Sequence, residues 1–186
     1  MRVITGIARG RRLVAPEGMD VRPTADKVKE AVFSAIQFQI DGAEVLDLFA
    51  GSGQMGIEAL SRGAKHSVFI DSSNKALRCV HENLRNTGFE KCSDVISRDS
   101  YDYIKLTTHT FDIIILDPPY HHSHIHNILP FAAKKLRDGG CIICEYESEA
   151  EEPSAPDGMV LRKTYHYGKI NVTIFIKPDP EEVADE

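Results

Sequence analysis

Hydrophobic positions along this chain follow two alternating periods from residue 44 onward. Short runs of β-branched and other apolar residues predict strands, and segments with apolar positions three and four residues apart predict helices between them. Only Gly168 and Lys169 separate the last two runs, which indicates a closing hairpin with an antiparallel strand. The alternation predicts an α/β fold with a doubly wound, mostly parallel seven-stranded sheet. The predicted strands cover residues 44–49, 67–71, 94–97, 111–117, 141–146, 160–167 and 170–176.

Helix-breaking and helix-capping residues bound the predicted helices. Thr24 is a candidate N-cap for the first helix. Later helices are expected to end near Gly63 and at Gly88, because glycine accepts the left-handed conformation that closes many helices. Pro130 is expected to interrupt the helical stretch that follows the fourth strand.

Length and composition fit one globular domain. The chain has 186 residues, of which 42% are hydrophobic, enough to bury a single core. Near the start, residues 2–8 and 11–15 are predicted to pair as a short basic hairpin. The predicted organisation is a single domain over 1–186, with a basic hairpin and helix extension over 1–40, a catalytic sheet over 41–178 and an acidic tail over 179–186.

The net charge of −6 is unevenly distributed. Six acidic residues lie within 145–157 and five within 179–186, and neither segment contains Lys or Arg. The rest of the chain carries 22 basic against 17 acidic residues. We expect the acidic segments to be a solvated loop and a frayed tail, which leaves a basic body compatible with a nucleic-acid partner.

Neither export nor a disulfide framework is indicated. The first 16 residues lack the apolar core of a signal peptide and no later segment approaches a membrane span, so we expect a cytoplasmic protein with no membrane partner. Cys141 and Cys144 are three residues apart in a predicted strand, which places their side chains on opposite faces. They cannot chelate one metal there, and we expect buried structural thiols.

The fourth predicted strand is followed by four residues that could bind or act on a substrate. The apolar run 111–116 is followed by Asp117, Pro118, Pro119 and Tyr120. The prolines end the strand and stiffen the loop, and the Pro118 carbonyl remains a fixed acceptor beside the Asp117 carboxylate. Two acceptors and the flat ring of Tyr120 suit a flat heterocycle that carries an NH2 group. The alternative is a rigid loop that only terminates the strand.

A glycine-rich turn follows the first sheet strand. Gly51, Gly53 and Gly56 satisfy G-x-G-x-x-G, and Asp71 lies 20 residues after Gly51, where it could bind a ribose diol. Asp47 discriminates among ligands, because its charge would repel a pyrophosphate but suits a cationic group. S-adenosylmethionine carries an ammonium and a sulfonium and no phosphate, so we expect this cofactor. There are two alternatives. One is an NAD site, and the other is a structural turn in which Asp47 caps a helix.

Two further groups near strand ends are candidates. Asp99 follows the third strand, where it could accept from an adenine amino group with Ser100 as a backbone donor, or it could simply be a helix N-cap. His122 and His126 have the i, i+4 spacing of a zinc pair, but no acid or thiol lies nearby in sequence. We therefore expect no metal and a loop over the substrate entrance.

Taken together, these motifs resemble class I S-adenosylmethionine-dependent methyltransferases that modify exocyclic amines. The closer likeness is to the RsmD family of 16S rRNA guanine-N2 methyltransferases, and it covers nearly the whole chain. The segments that carry it are Arg9-Gly10-Arg11-Arg12-Leu13, Arg22-Pro23-Thr24, the run from Asp47 to Gly53, the run from Glu58 to Ala64, Asp117 to Tyr120, and Tyr167-Gly168.

This resemblance implies a function and a set of site residues. The reaction would be methyl transfer from S-adenosylmethionine to N2 of a guanine in 16S rRNA, within the small ribosomal subunit or its precursor, by a protein expected to be a monomer. Asp117, Pro118, Pro119 and Tyr120 would hold the base. The implied cofactor-binding residues are Asp47, Phe49, Ala50, Gly51, Gly53, Asp71, Ser72, Asp99 and Ser100. The expected RNA-binding residues are Arg9, Arg11, Arg12, Arg22 and Thr24.

Two other classes of function stay open at this level. Related tetrapeptides serve adenine N6 in DNA and the glutamine of a protein, although no segment here is long enough for the target-recognition insert usual in a DNA enzyme. A basic RNA-binding assembly factor could keep the fold without catalysis, although the intact Asp71 and Asp117 argue against it.

Overall fold

A single seven-stranded sheet forms the centre of the protein. The computed structural model describes residues 1–16, 26–119 and 124–180. The strand order is β3-β2-β1-β4-β5-β7-β6, and β7 alone runs antiparallel to the other six strands. The predicted parallel sheet with a closing hairpin is confirmed. The strands are β1 (Glu44–Asp47), β2 (His66–Asp71), β3 (Ser93–Ser97), β4 (Phe111–Leu116), β5 (Leu136–Glu147), β6 (Val160–Tyr167) and β7 (Ile170–Ile176).

Helices cover both faces of the sheet and enclose two apolar cores. The first core lies under α1, α3 and α4, and the second under α5 and α6. Cys141 belongs to the first core and Cys144 to the second, which confirms the predicted opposite faces. Burial raises the pKa of the Cys141 thiol to about 12. The helices are α1 (Asp26–Ala35), α2 (Gln37–Ile40), α3 (Gln54–Ser61), α4 (Asn74–Thr87), α5 (Ser100–Leu106) and α6 (His124–Ala133).

Local sequence signals set most element boundaries. Ser73 caps α4 through its side chain, and Gly88 closes the same helix in the left-handed conformation. The expected interruption at Pro130 is wrong, since this proline lies inside α6. Strand β5 also begins five residues earlier than predicted, at Leu136 rather than at Cys141.

The N-terminal segment is a loop fastened to α3 rather than a two-stranded hairpin. Arg2 and Arg12 form a single antiparallel bridge, and residues 5–10 turn without forming strands. The amides of Ile4 and Thr5 donate to the buried Glu58 carboxylate at 2.8 and 3.0 Å. The predicted hairpin is therefore confirmed only around Arg2 and Arg12, where the Val3 amide donates to the Arg11 carbonyl and the Leu13 amide to the Met1 carbonyl. Beyond Val3 it is wrong, because α3 side chains take the backbone hydrogen bonds that a partner strand would have used.

Close packing at Gly6 holds this loop against α3. A Cβ atom at Gly6 would stand 1.7 Å from the Ser61 carbonyl oxygen, and Gly6 has a φ of +86°. The Ser61 hydroxyl donates to the Thr5 carbonyl and accepts from the Ala8 amide. Only glycine allows the backbone to approach the end of α3 this closely.

Among the described residues, no helix is long and apolar enough to cross a membrane. The same part of the chain contains no group of three or more His, Cys, Asp or Glu residues arranged to hold a metal ion. Of the histidine loop, residues 121–123 lie outside the described residues, and His126 lies on α6.

Candidate functional site

The candidate site lies where the strand order reverses. From β1 the chain proceeds outward through β2 and β3, whereas β4 returns to the other side of β1 and continues to β5. Open α/β sheets bind ligands at such a switch point, outside the carboxyl ends of the strands. Asp47 is the last residue of β1, and Asp117 follows the last residue of β4. The register pairs Asp47 with Ile115, which places the Cα atoms of Asp47 and Asp117 about 8 Å apart.

The glycine-rich turn after β1 is shaped by contact between α3 and β2. Gly53 begins α3 in the left-handed conformation, with a φ of +76°. A Cβ atom at Gly56 would stand 2.4 Å from the Phe69 ring, so α3 can lie this close to β2 only with glycine there. At Gly51, by contrast, no atom lies within 4 Å of a built Cβ. The outer side of the turn is therefore open for a ligand.

Asp47 occupies the floor of the site beneath this turn. Asp47 is 2% exposed, and its carboxylate accepts a hydrogen bond at 3.0 Å from the amide of Gly56, in the first turn of α3. The alternative in which Asp47 caps a helix is thus realised in the geometry. The pKa of Asp47 is raised to about 8, mainly by burial and also by the nearby Asp117 and Asp71, while the Gly56 hydrogen bond opposes the increase. A positively charged ligand group would relieve this crowding of carboxylates.

Replacing Asp47 with asparagine is expected to change the pH dependence of stability in the ligand-free protein. The folded-state pKa of about 8 lies above the ordinary aspartate value of about 3.9, so the wild type loses stability as pH rises between these values. Relative to the wild type, the free energy of unfolding of the variant should rise by on the order of a few kcal/mol as pH increases across that window. Above the window the difference should stay constant. Denaturant unfolding at about pH 4, 6, 8 and 9 measures this difference. A difference independent of pH would contradict the raised pKa.

Asp71 connects the end of β2 to the glycine turn. One carboxylate oxygen accepts from the Gly51 amide at 2.9 Å, and the other accepts from the Ser73 amide at 2.8 Å. Each oxygen has a second lone pair, so the carboxylate can also accept from the two hydroxyls of a ribose. Ser72, which lies between Asp71 and Ser73 in the sequence, is exposed.

Asp99 and Ser100 begin α5 at the carboxyl end of β3. One oxygen of Asp99 accepts from the amides of Tyr101 and Asp102 at 2.9 and 3.0 Å, which confirms the N-cap alternative. The hydrogen bond from an adenine amino group to Asp99 stays a prediction. The Ser100 hydroxyl donates to the carbonyl of Leu48 and so fastens α5 to the end of β1. Phe49 is half-buried against the second core, and the Ala50 amide donates to Ile70 in β2.

Asp117, Pro118 and Pro119 leave β4 opposite the glycine turn. Pro118 is buried and Pro119 is exposed. Asp117 keeps a partly exposed surface, yet burial of its carboxyl raises its pKa to about 7. Tyr120, like the predicted RNA contacts Arg22 and Thr24, falls outside the described residues.

Glu145 is a further candidate site residue, which the sequence interpretation counted both in the predicted strand 141–146 and in the acidic segment 145–157 expected to be a solvated loop. It belongs to β5 and is 5% exposed. The register pairs Leu116 with Cys144 on adjacent parallel strands. Asp117 and Glu145, the residues that follow, therefore lie side by side and point to the same face. The signal was present in the sequence, because Glu145 continues the alternation of Cys141 and Ile143, but the acidic composition of 145–157 hid it.

The N-terminal segment reaches the glycine turn through Asn83. This buried side chain accepts from the Val14 amide at 2.8 Å and donates to the carbonyls of Val14 and Ser52 at 2.9 and 2.8 Å. Arg9, Arg11 and Arg12 are all exposed.

The donors and acceptors at the switch point fit S-adenosylmethionine chemically. A buried carboxylate lies beneath an open glycine turn, a second carboxylate stands at the end of the neighbouring strand, and a third caps a helix at the next strand end. This arrangement offers acceptors for a cationic group, a ribose and an amino group. A pyrophosphate would instead add negative charge to a site in which the pKa values of Asp47 and Asp117 are already raised, which disfavours a dinucleotide.

Comparison with known proteins gives consistent matches over nearly the whole chain. The model of the family described as Conserved hypothetical protein 95 matches residues 1–176. The chain is 39% identical over 184 residues to ribosomal RNA small subunit methyltransferase D of Haemophilus influenzae, covering 94% of this chain and 93% of that protein. Its identity to ribosomal RNA small subunit methyltransferase D of Escherichia coli K12 is 28% over 177 residues, covering 94% and 89%. The solved structure of the Escherichia coli protein yhhF matches with a TM-score of 0.85 at 28% identity, covering 96% and 98%.

Proposed function

The chain belongs to the family described as Conserved hypothetical protein 95, and on this premise we propose that it transfers a methyl group from S-adenosylmethionine to a base of ribosomal RNA. The membership confirms the resemblance to the RsmD family that the sequence indicated. The predicted class I methyltransferase fold is confirmed as well, by the sheet order and by the likeness to the Escherichia coli structure.

The observation that carries the proposal is the pairing of two carboxylates across the switch point. Asp47 lies beneath the open glycine turn, and Asp117 stands beside two prolines about 8 Å away on the next strand. The first position suits the charged end of the cofactor, and the second suits an amine presented to it. When bound, S-adenosylmethionine supplies the electrophilic methyl group.

The residues around Asp117 can prepare an exocyclic amine for attack. The lone pair of such an amine is delocalised into the ring, so the nitrogen must become pyramidal and aligned before it can form a bond to carbon. Hydrogen bonds from the NH2 group to the Asp117 carboxylate and the Pro118 carbonyl favour this geometry. As the N–C bond forms, the nitrogen loses a proton, and a carboxylate with a pKa of about 7 can accept it near neutral pH.

We further propose guanine N2 as the methylated atom, with Glu145 as the supporting observation. The Watson–Crick edge of guanine presents donors at both N1 and N2, which suits two adjacent carboxylates, Asp117 and Glu145. Adenine presents one NH2 donor beside the N1 acceptor, and a second carboxylate would repel that acceptor. The pair therefore favours guanine over the adenine alternative.

Mapping the product tests this proposal directly. The protein would be incubated with radiolabelled S-adenosylmethionine and, separately, with small ribosomal subunits, naked 16S rRNA, DNA and a protein pool. Label should appear as N2-methylguanosine, with more activity on subunits than on naked rRNA, because one flipped base and a short basic segment supply little sequence discrimination. Label in N6-methyladenine of DNA, or in protein only, would contradict the proposal, and no transfer to any pool would favour a non-catalytic assembly factor.

We propose that Arg9, Arg11 and Arg12 bind RNA phosphates outside the pocket. The three side chains are exposed. Arg9 follows Ala8, whose amide bonds to Ser61 at the end of α3 away from the glycine turn, whereas Arg12 lies two residues before Val14, which Asn83 connects to Ser52 of that turn. The arginines would therefore contact RNA along a path that leads from the far end of α3 toward the glycine turn.

Replacing Arg9, Arg11 and Arg12 with glutamine is expected to weaken RNA binding mainly at low salt. Each phosphate contact contributes close to one unit to the slope of log affinity against log salt, so the slope should flatten by about two to three units. Titrations of 16S rRNA at several salt concentrations measure the slope. A matched control removes Lys75, Arg78 and Arg85, three exposed cations of α4. Equal slopes for the wild type and the arginine variant would reject the phosphate contacts.

A further inference from the structure

The edge strand β6 carries two aromatic rings on the face that holds the candidate site. Tyr165 and Tyr167 are stacked, with ring centroids 6.2 Å apart and planes 11° from parallel. Both are half-buried and pack against the first core, on the face of Ile113 and Ile115. Because side chains alternate along β4, Asp117 points to this same face.

The sheet register places the ring pair in line with the candidate catalytic residue. Tyr165 pairs with Val172 of β7, and Val172 pairs with Glu145 of β5, the neighbour of Asp117. Three strand spacings therefore separate Tyr165 from Asp117, a distance of about 14 Å. Strand β6 runs in the same direction as β4 and β5, so Tyr167 also lies at the carboxyl edge, where the pocket opens.

Three cations lie on the strand and turn that carry the two rings. The Lys163 ammonium lies 4.8 Å from the centroid of the Tyr165 ring. Arg162 and Lys169 are exposed at the two sides of the pair, Arg162 within a bulge of β6 and Lys169 in the turn after Tyr167. Aromatic rings combined with nearby cations are the arrangement with which proteins bind single-stranded nucleic acid, because bases stack on the rings while the cations contact phosphates.

We propose that Tyr165 and Tyr167 form a stacking platform for an unpaired nucleotide of the RNA, close in sequence to the methylated base. This inference rests on the proposed function, since it takes RNA as the substrate. A target base that leaves its stack to reach Asp117 also exposes its neighbours, and a ring pair about 14 Å away on the same face is placed to receive one of them. The platform thereby adds binding energy and fixes the path of the strand into the pocket.

The test compares tyrosine-to-leucine variants with a matched aromatic control. Leucine keeps apolar cover over the first core but removes the ring, and thermal unfolding verifies that Tyr165→Leu, Tyr167→Leu and the double variant are folded. The control is Phe38→Leu on α2, which removes a 93% exposed ring near the amino edge of the sheet, where Gln39 donates to the Gly139 carbonyl. The probe is a short single-stranded RNA containing 2-aminopurine, whose fluorescence is quenched by stacking.

The wild type and Phe38→Leu should quench the probe equally, and the double tyrosine variant should lose the quenching and bind the RNA at least about fivefold more weakly. In methyl transfer to rRNA, the double variant should show a raised KM for RNA with nearly unchanged kcat and cofactor affinity. Quenching and KM equal to those of the wild type would overturn the platform while leaving the proposed function intact. A wild type that methylates no rRNA would instead refute the proposed function, and the quenching experiment would still decide whether the rings stack on RNA.

Discussion

Replacing Asp117 with alanine is expected to lower the rate of methyl transfer at least about a hundredfold. The carboxylate provides an acceptor that is needed most when the amine becomes pyramidal, and removing one such preorganised partner costs about 10² to 10³ in rate. Single-turnover measurements with bound S-adenosylmethionine report this step directly. Calorimetry should find cofactor affinity within about threefold of the wild type, since the carboxylate faces the base rather than the glycine turn.

Two companion variants sharpen this expectation. Asp117→Asn keeps the size of the side chain and a carbonyl acceptor but cannot take the proton, so its rate should lie between those of the wild type and Asp117→Ala. Asp94→Asn removes an exposed carboxylate of β3 and should leave the rate unchanged. A rate for Asp117→Ala within a few-fold of the wild type would remove Asp117 from the proposed mechanism.

Replacing Asp71 with alanine is expected to weaken S-adenosylmethionine binding by about 1.5–3 kcal/mol, the usual scale for hydrogen bonds to a charged group. Two effects act together here, because the carboxylate would bind the ribose and also holds the Gly51 and Ser73 amides. Calorimetric titration with S-adenosylmethionine measures the affinity. The conservative Asp71→Asn keeps one acceptor oxygen and should lose less affinity than the alanine variant.

The result for Asp71 also tests the identity of the cofactor. A titration of the wild type with NADH should show no tight binding, because its pyrophosphate would add negative charge to a site in which the pKa values of Asp47 and Asp117 are already raised. Tight NADH binding, or unchanged S-adenosylmethionine affinity in Asp71→Ala, would overturn the assignment of this pocket. Thermal unfolding of both variants separates a binding effect from a loosened turn.

Strand and helix positions were readable from sequence where local chemistry decides them. The predicted bounds of β6 and β7 coincide with the structure, since two segments rich in β-branched and aromatic residues flank the two-residue turn Gly168-Lys169. Gly88 closes α4 as expected, because a left-handed closing residue favours glycine. The candidate ligand acids Asp47 and Asp71 end β1 and β2, and Asp99 follows β3 by two residues, as the β-α alternation predicted.

Contacts between distant parts of the chain decided the features that the sequence did not indicate. Residues 2–8 have the composition of a strand, yet Glu58 and Ser61 of α3 take their backbone hydrogen bonds, and no spacing rule reports a partner more than 50 residues away. Asn83 joins Val14 to the glycine turn for the same reason. Pro130 is accommodated inside α6 although proline usually breaks a helix.

The local sequence thus determined the sheet, its carboxyl-end acids and the glycine turn, because side-chain alternation, turn chemistry and capping act over a few residues. The tertiary structure alone decided which of those acids face one another. It placed Glu145 beside Asp117, buried Asp47 enough to raise its pKa to about 8, and brought the ring pair of β6 onto the face of the pocket. Each of these results depends on strand order and register, which are set when the sheet closes around its two cores and not by any short stretch of residues.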